Sequence, residues 1–180
     1  MDFYLQRLQD AIASATESLD AEALMRHPDG KWCSAEILEH LYLTYTGTIK
    51  GFERCLEAGK PLARTKNWQD RMRTFVVVGL SRLPEGRKAP KNTMPRGLPP
   101  EQVRAEVAAK ISAMDSVIAK AEEKFGKQTR LLDHPILGPL RGSEWRKFHW
   151  VHGSHHVKQI RSLQSGLSAK SGSRSDDRSH

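Results

Sequence analysis

The sequence predicts an all-α protein: a four-helix bundle with one long crossover connection and a short extra helix. Three observations carry this expectation. Four long stretches place apolar residues three and four positions apart, the repeat of a single helix face. No set of segments alternates apolar and polar residues as half-buried strands do, which argues against an α/β fold. Between the second and third of the long stretches lies a connection rich in proline and glycine, and one such crossover is a recurrent variant of the bundle. The chain has 180 residues, a length for one domain with a core that needs no staples.

The first helix is expected from Asp2 to about Leu19, with Leu5, Leu8 and Ile12 on one face and Asp2 as its N-cap. A shorter turn runs from Asp20 to Met25, and His27-Pro28-Asp29-Gly30 then punctuates the chain. The second long helix begins at Cys33 or Ser34 and runs to Ala58. Ile37, Leu41, Thr44, Thr48 and Phe52 form its inner stripe, and Gly59 followed by Pro61 stops it. Glu36 stands three residues after Cys33, the spacing of a capping box; a thiol is a poor cap acceptor, and Ser34 is the alternative cap. Trp68 to about Leu83 reads as a helix, although the β-branched run Phe75-Val76-Val77-Val78 suits a strand as well. Residues 84–100 are irregular connection. The next helix is the clearest: Val103, Val107, Ile111, Met114, Ile118 and Phe125 share a face, Pro100 opens it and Gly126 closes it. A loop containing His134-Pro135-Ile136-Leu137-Gly138-Pro139 leads to the last helix, from Ser143 as N-cap to about Ser165. One domain over residues 1–165 is therefore expected, with residues 166–180, rich in Ser, Gly, Arg and Asp, as a disordered tail.

Composition narrows the class. The longest apolar run, Phe75 to Leu80, is too short to span a bilayer. The opening residues Met1 to Arg7 carry an early acid and no apolar leader. Cys33 and Cys55, if both on the second helix, lie about 33 Å apart at 1.5 Å per residue and cannot pair within the chain. Free thiols suit a reducing compartment, so a cytoplasmic protein without a membrane partner is expected. The formal charge is +8, and nine Lys or Arg against two acids between Arg64 and Arg96 supply +7 of it. Such a stretch attracts an anionic substrate or nucleic acid, or serves simply as a solvated surface. No nucleic-acid reading motif accompanies it, so nucleic acid ranks low.

The histidines carry the chemistry. His149, His152 and His156 share one helix stripe with Trp145 and Ile160, whose apolar character turns the stripe inward. Two imidazoles one turn apart on an inward face are a standard grip on a metal ion. His40 lies beside the inner stripe of the second helix. An inward histidine on one helix and an inward pair on another are what a three-histidine site requires, with core packing as the alternative for each.

At this point a resemblance enters. Trp32-Cys33-Ser34-Ala35-Glu36-Ile37-Leu38-Glu39-His40-Leu41 resembles the signature of the DinB-like family, a Trp and a capped helix start followed by His-Leu. His134-Pro135-Ile136-Leu137-Gly138 with Glu144-Trp145 resembles the segment leading into that family's last helix. His152-Gly153-Ser154-His155-His156-Val157-Lys158-Gln159-Ile160 is similar to its closing pattern. The resemblance covers about residues 3 to 165. It implies an up-down-down-up bundle, with His40, His152 and His156 binding a divalent metal ion, zinc or nickel. Two departures stand out: Cys33 where the family has a Ser or Thr cap, and Gly153 inside the ligand helix, at a cost of about 1 kcal/mol relative to Ala.

Three neutral imidazoles leave a coordination position open, as in a catalytic site. The family includes thiol-dependent transferases and proteins regarded as metal hydrolases. The expected function is therefore a metal-dependent enzyme, an S-transferase using a low-molecular-weight thiol or a hydrolase, acting on a small molecule, with the basic stretch favouring an anionic one. A non-catalytic metal-binding or sensing module is the alternative, and homodimerisation through exposed helix faces is open. His149 is the candidate base or outer support of the site, with core packing weighed equally. Glu36 is read as a capping group rather than an orienter of His40, Glu39 as a solvated surface acid, His155 as outer or rim, and His134 as ordering its loop. Trp32, Trp145 and Trp150 either line a pocket or belong to the core.

Overall fold

In the computed structural model, residues 1–28, 30–82 and 89–172 are described, with side chains to Ser165. The protein is mostly helical, with one small two-stranded sheet. The elements are α1 (Phe3–Thr16), α2 (Ala21–Met25), α3 (Ser34–Glu57), α4 (Trp68–Thr74), α5 (Pro100–Phe125), β1 (Arg130–His134), β2 (Gly138–Arg141) and α6 (Gly142–Gly172). The four long helices, α1, α3, α5 and α6, share one core. In it α3 lies chiefly against α5, and α1 chiefly against α6.

Local chemistry explains the helix starts. The Asp2 carboxylate accepts the Tyr4 N–H at 2.9 Å, and Asp20 accepts that of Ala23 at 2.8 Å, each satisfying a donor that the first helical turn leaves free. Cys33, not Ser34, occupies the N-cap of α3, and Glu36 reaches back to accept the Cys33 N–H at 2.9 Å. Pro100 sits in the first turn of α5, and Gly126, at φ +93°, closes it. On α3 the buried stripe is Ile37, Leu41, Tyr45, Thr48 and Phe52, with Tyr45 rather than Thr44 filling the core.

Three expectations need correction. The helix expected from Trp68 to Leu83 stops as an α-helix at Thr74 and passes into a π turn, Phe75–Gly79, where the Leu80 N–H reaches the Phe75 carbonyl at 2.9 Å. The wider turn coincides with the β-branched valines, whose side chains crowd a regular helix. The loop expected before the last helix contains a β-hairpin, β1 against β2, with Leu132 opposite Leu140 and His134 opposite Gly138. Two short strands, one carrying Pro139, leave too brief an alternation to read in a sequence. Finally, α6 starts at Gly142 instead of using Ser143 as its cap, and it continues past Ser165 to Gly172. Of the tail expected from Gly166, residues 173–180 lie outside the described residues.

Gly153 has a packing reason. A Cβ placed there overlaps the fully buried Leu8 side chain, so glycine lets α1 approach α6 closely beside the histidines. Across the core, Arg146 on α6 donates to Asp115 at 2.6 Å and to Glu122 at 2.7 Å, both on α5. Asp115 in turn accepts the Asp2 N–H at 2.8 Å, so three helices meet at one polar knot. Cys33 and Cys55 are buried free thiols. Among the described residues no helix is long and apolar enough to cross a membrane.

Candidate metal centre

His152 and His156 stand one turn apart on α6, and His40 faces them from α3. Their Nε2 atoms converge: His40 to His152 is 3.3 Å, and His156 to His152 is 3.2 Å. The three potential ligand atoms all lie within 4.8 Å of one another. The trio named from the sequence is therefore brought together.

The outer nitrogens define what the inner ones can do. His40 Nδ1–H donates to the Thr93 carbonyl at 2.8 Å, and His156 Nδ1–H donates to Gln159 Oε1 at 2.7 Å. With a proton on Nδ1, each ring presents a bare lone pair at Nε2. His152 Nδ1 is buried without a hydrogen-bond partner among the described residues. A proton on His152 Nε2 can serve only one of its two facing lone pairs well, so the metal-free cluster leaves an inward acceptor unsatisfied. A cation at the centre satisfies all three at once. The observed separations also fit: metal–nitrogen bonds of about 2.0–2.1 Å in a tetrahedral site put the ligand nitrogens about 3.3–3.4 Å apart.

Electrostatics point the same way. Burial pulls the His40 imidazole below its ordinary range, opposed by the Thr93 carbonyl. His156 is pushed down to about 4, first by burial and then by neighbouring His40, and His152 is held well below its usual value by burial and the surrounding rings. At neutral pH all three are unprotonated, the form a metal requires.

The crossover supplies the support for His40. Residues 91–93 form a 3₁₀ turn that ends at Thr93. Glu39, immediately before His40, accepts the N–H groups of Arg96, Gly97 and Leu98 at 2.7, 3.0 and 3.1 Å. It is only 3% exposed. The expectation of a solvated Glu39 is thus overturned: a carboxylate facing three backbone donors lies inside because those donors replace its water. Glu39 fastens the crossover, and the crossover fastens His40. Of the basic residues expected there, Lys91 opens the 3₁₀ turn, while Arg87 and Lys88 lie outside the described residues.

Other candidates take different places. His149 is fully buried, stacked on Trp145, with Nε2 3.1 Å from Thr48 Oγ1, and burial pushes it down to about 3. It is not one of the three converging ligands, although it lies near enough to His152 to help keep that ring neutral. Gln159 joins His155 to His156: its amide donates to His155 Nε2 at 3.2 Å while its oxygen holds His156. His134 Nδ1 accepts the N–H groups of Ile136 and Leu137, ordering the hairpin turn as the sequence suggested. Trp32 borders the site, its ring 5.3 Å from that of His40. Trp145 is core, and Trp150 lies under the Arg7 guanidinium. Phe148 stacks on His152 at 5.5 Å.

A second ligand-bearing group, His27, Cys33 and Glu36, also falls within 4.8 Å. There Glu36 is engaged with the Cys33 N–H, and burial pushes the Cys33 thiol up, away from the thiolate a metal would need. Sequence reading missed Thr93, Glu39 and Gln159 as supports. Gln159 had a signal, lying three residues after His156; Thr93, far along the chain from His40, had none. Neither a curated protein nor a solved structure matches the chain. A family does match, over residues 1–162, and the chain belongs to it: DUF1569, proteins of unknown function.

Proposed function

We propose that this chain binds one divalent metal ion through Nε2 of His40, His152 and His156, and that it is a metal-dependent enzyme of DinB-like, up-down-down-up architecture. The observation that carries the reading is the convergence of three neutral imidazole nitrogens, two of them set by hydrogen bonds at their far side. Zinc or nickel suits a donor set made of imidazole alone. A metal held this way would supply Lewis acidity at an open position, suited to activating water for hydrolysis or a thiol for S-transfer. Three protein ligands leave a further coordination position open, which supports a reactive rather than a sealed structural site.

This chain's own residues would do the rest. Thr93 and Gln159 hold two rings in the tautomer that ligates, Phe148 braces the third, and Trp32 offers an apolar flank. The His155–Gln159–His156 chain links the site to its rim.

Elemental analysis of untagged wild type, His40→Ala and His152→Ala tests the reading. About one ion per chain, lost in both variants, is expected. Ester hydrolysis and thiol transfer to an electrophile are then assayed in wild type and in His152→Ala. Loss of turnover in a folded variant supports the enzyme, whereas loss of stability without any turnover in wild type favours a metal-binding module. Wild type that takes up neither zinc nor nickel refutes the site.

A further inference from the structure

We propose that a cleft beside the π turn, sharing no residue with the three histidines, binds a phosphate-bearing small molecule through Lys66, Arg71 and Arg130. The cleft measures about 530 Å³ and is lined by α4, the π turn, the start of β1 and the first turns of α6. Lys66, Arg71 and Arg130 line it with one carboxylate, Glu144; Lys147 borders it as well, with its ammonium over the Tyr4 ring. The Lys66 side chain is 4% exposed, and its ion pair with Glu144 Oε1 is long, at 3.7 Å. The other Glu144 oxygen is taken by the Arg141 N–H at 2.8 Å. Arg130 Nε is buried with no hydrogen-bond partner among the described residues.

The protein treats structural cations differently. Arg146 in the core has two carboxylates, at 2.6 and 2.7 Å, and Arg64 grips Asp70 with both arms, at 2.6 and 2.9 Å. A cation taken out of water and held only by a long ion pair is incompletely compensated: Glu144 and Asp70 offset part of the burial of Lys66, and neighbouring Arg130 adds repulsion. A bound anion with several oxygens removes both penalties. Guanidinium and ammonium groups together are the usual partners of phosphate. The volume exceeds that of a bare ion, and Phe75, 57% exposed on the rim, offers a face for a flat apolar group. A π turn in the wall fits a ligand site, where such turns recur.

Titration calorimetry of the full-length protein with pyrophosphate, ADP and adenosine at low salt tests this. Pyrophosphate should bind, ADP more tightly and adenosine not measurably. Lys66→Met, and separately the exposed Arg71→Gln, should weaken pyrophosphate binding roughly tenfold, about 1.4 kcal/mol. Phe75→Ala should remove the advantage of ADP over pyrophosphate. His152→Ala should leave binding unchanged, so this proposal and the metal site fail separately. Should Lys66→Met not fold, Arg71→Gln combined with Arg130→Gln decides. No binding at millimolar ligand, or affinities unmoved by these charge variants, overturns the proposal. So does loss of pyrophosphate binding in His152→Ala, which would put the anion on the histidines, or binding of a single-stranded oligonucleotide through the same cations with no ADP binding.

Discussion

Glu39→Gln isolates the link between the crossover and His40. One Glu39 oxygen accepts the Arg96 N–H and the other accepts those of Gly97 and Leu98. Glutamine has one oxygen, so its amide group must face at least one backbone donor, and the remaining bonds lose their charge. Hydrogen bonds to a charged group contribute about 1.5–3 kcal/mol each. Arg96, Gly97 and Leu98 are exposed, so water takes up the freed donors and the loss falls at the lower end. A net destabilisation of about 1.5–2 kcal/mol follows, or about 3–8 °C in melting temperature for a chain of this size. A second effect reaches the metal. With the crossover loosened, the Thr93 carbonyl no longer fixes His40 Nδ1, and lost outer support typically costs 10–100-fold in metal affinity. Melting of metal-free protein followed by circular dichroism reads the first effect, and competition for zinc with a chromophoric chelator reads the second. An unchanged melting temperature refutes the anchoring. A lowered melting temperature with unchanged zinc affinity refutes the idea that the crossover orients His40.

Gly153→Ala gains about 1 kcal/mol of helix propensity and loses about 1–3 kcal/mol to overpacking against Leu8, so stability should fall by up to about 2 kcal/mol. In a Leu8→Ala background that penalty should vanish, and an equal penalty in both backgrounds would rule out the close approach of α1 to α6. Arg146→Met leaves Asp115 and Glu122 without their cation and should cost about 3–5 kcal/mol by urea denaturation at pH 7; a loss under about 1 kcal/mol would show that the knot does not hold α5 to α6. His134 and His149 are held down to about 4 and about 3 by burial. The unfolded chain binds protons as the pH falls through about 6.5, while the folded chain does not until pH 4 or below, so metal-free protein should be most stable above about 6.5 and weaken steadily toward pH 4. Urea midpoints unchanged between pH 7.5 and 5 would contradict that burial.

Features written within one or two turns of chain were legible in the sequence. The α1 cap at Asp2, the bounds of α5 and the shared face of His152 and His156 all follow from spacing alone, because a helix repeats every 3.6 residues. The inward position of His40 beside Ile37 and Leu41 followed in the same way. Short elements were legible only in part: the valine run gave a helix start and no hint of a π turn, and the hairpin with Pro139 gave none of the alternation a longer strand provides.

What tertiary structure decided is how distant segments share donors and space. Glu39 looks like a surface acid because nothing near it in sequence explains its burial; three N–H groups from the far end of the crossover do. Gly153 looks like a weak point in a helix until Leu8 is laid against it. The cations of the cleft come from residues 66, 71 and 130, whose gathering no spacing announces. The sequence by itself determined which residues are able to ligate and which helix faces turn inward, since both are properties of local geometry. Only the packed chain decided which of those residues are held, by what, and at what separation, because hydrogen bonds and close contacts between segments depend on the path of the whole backbone.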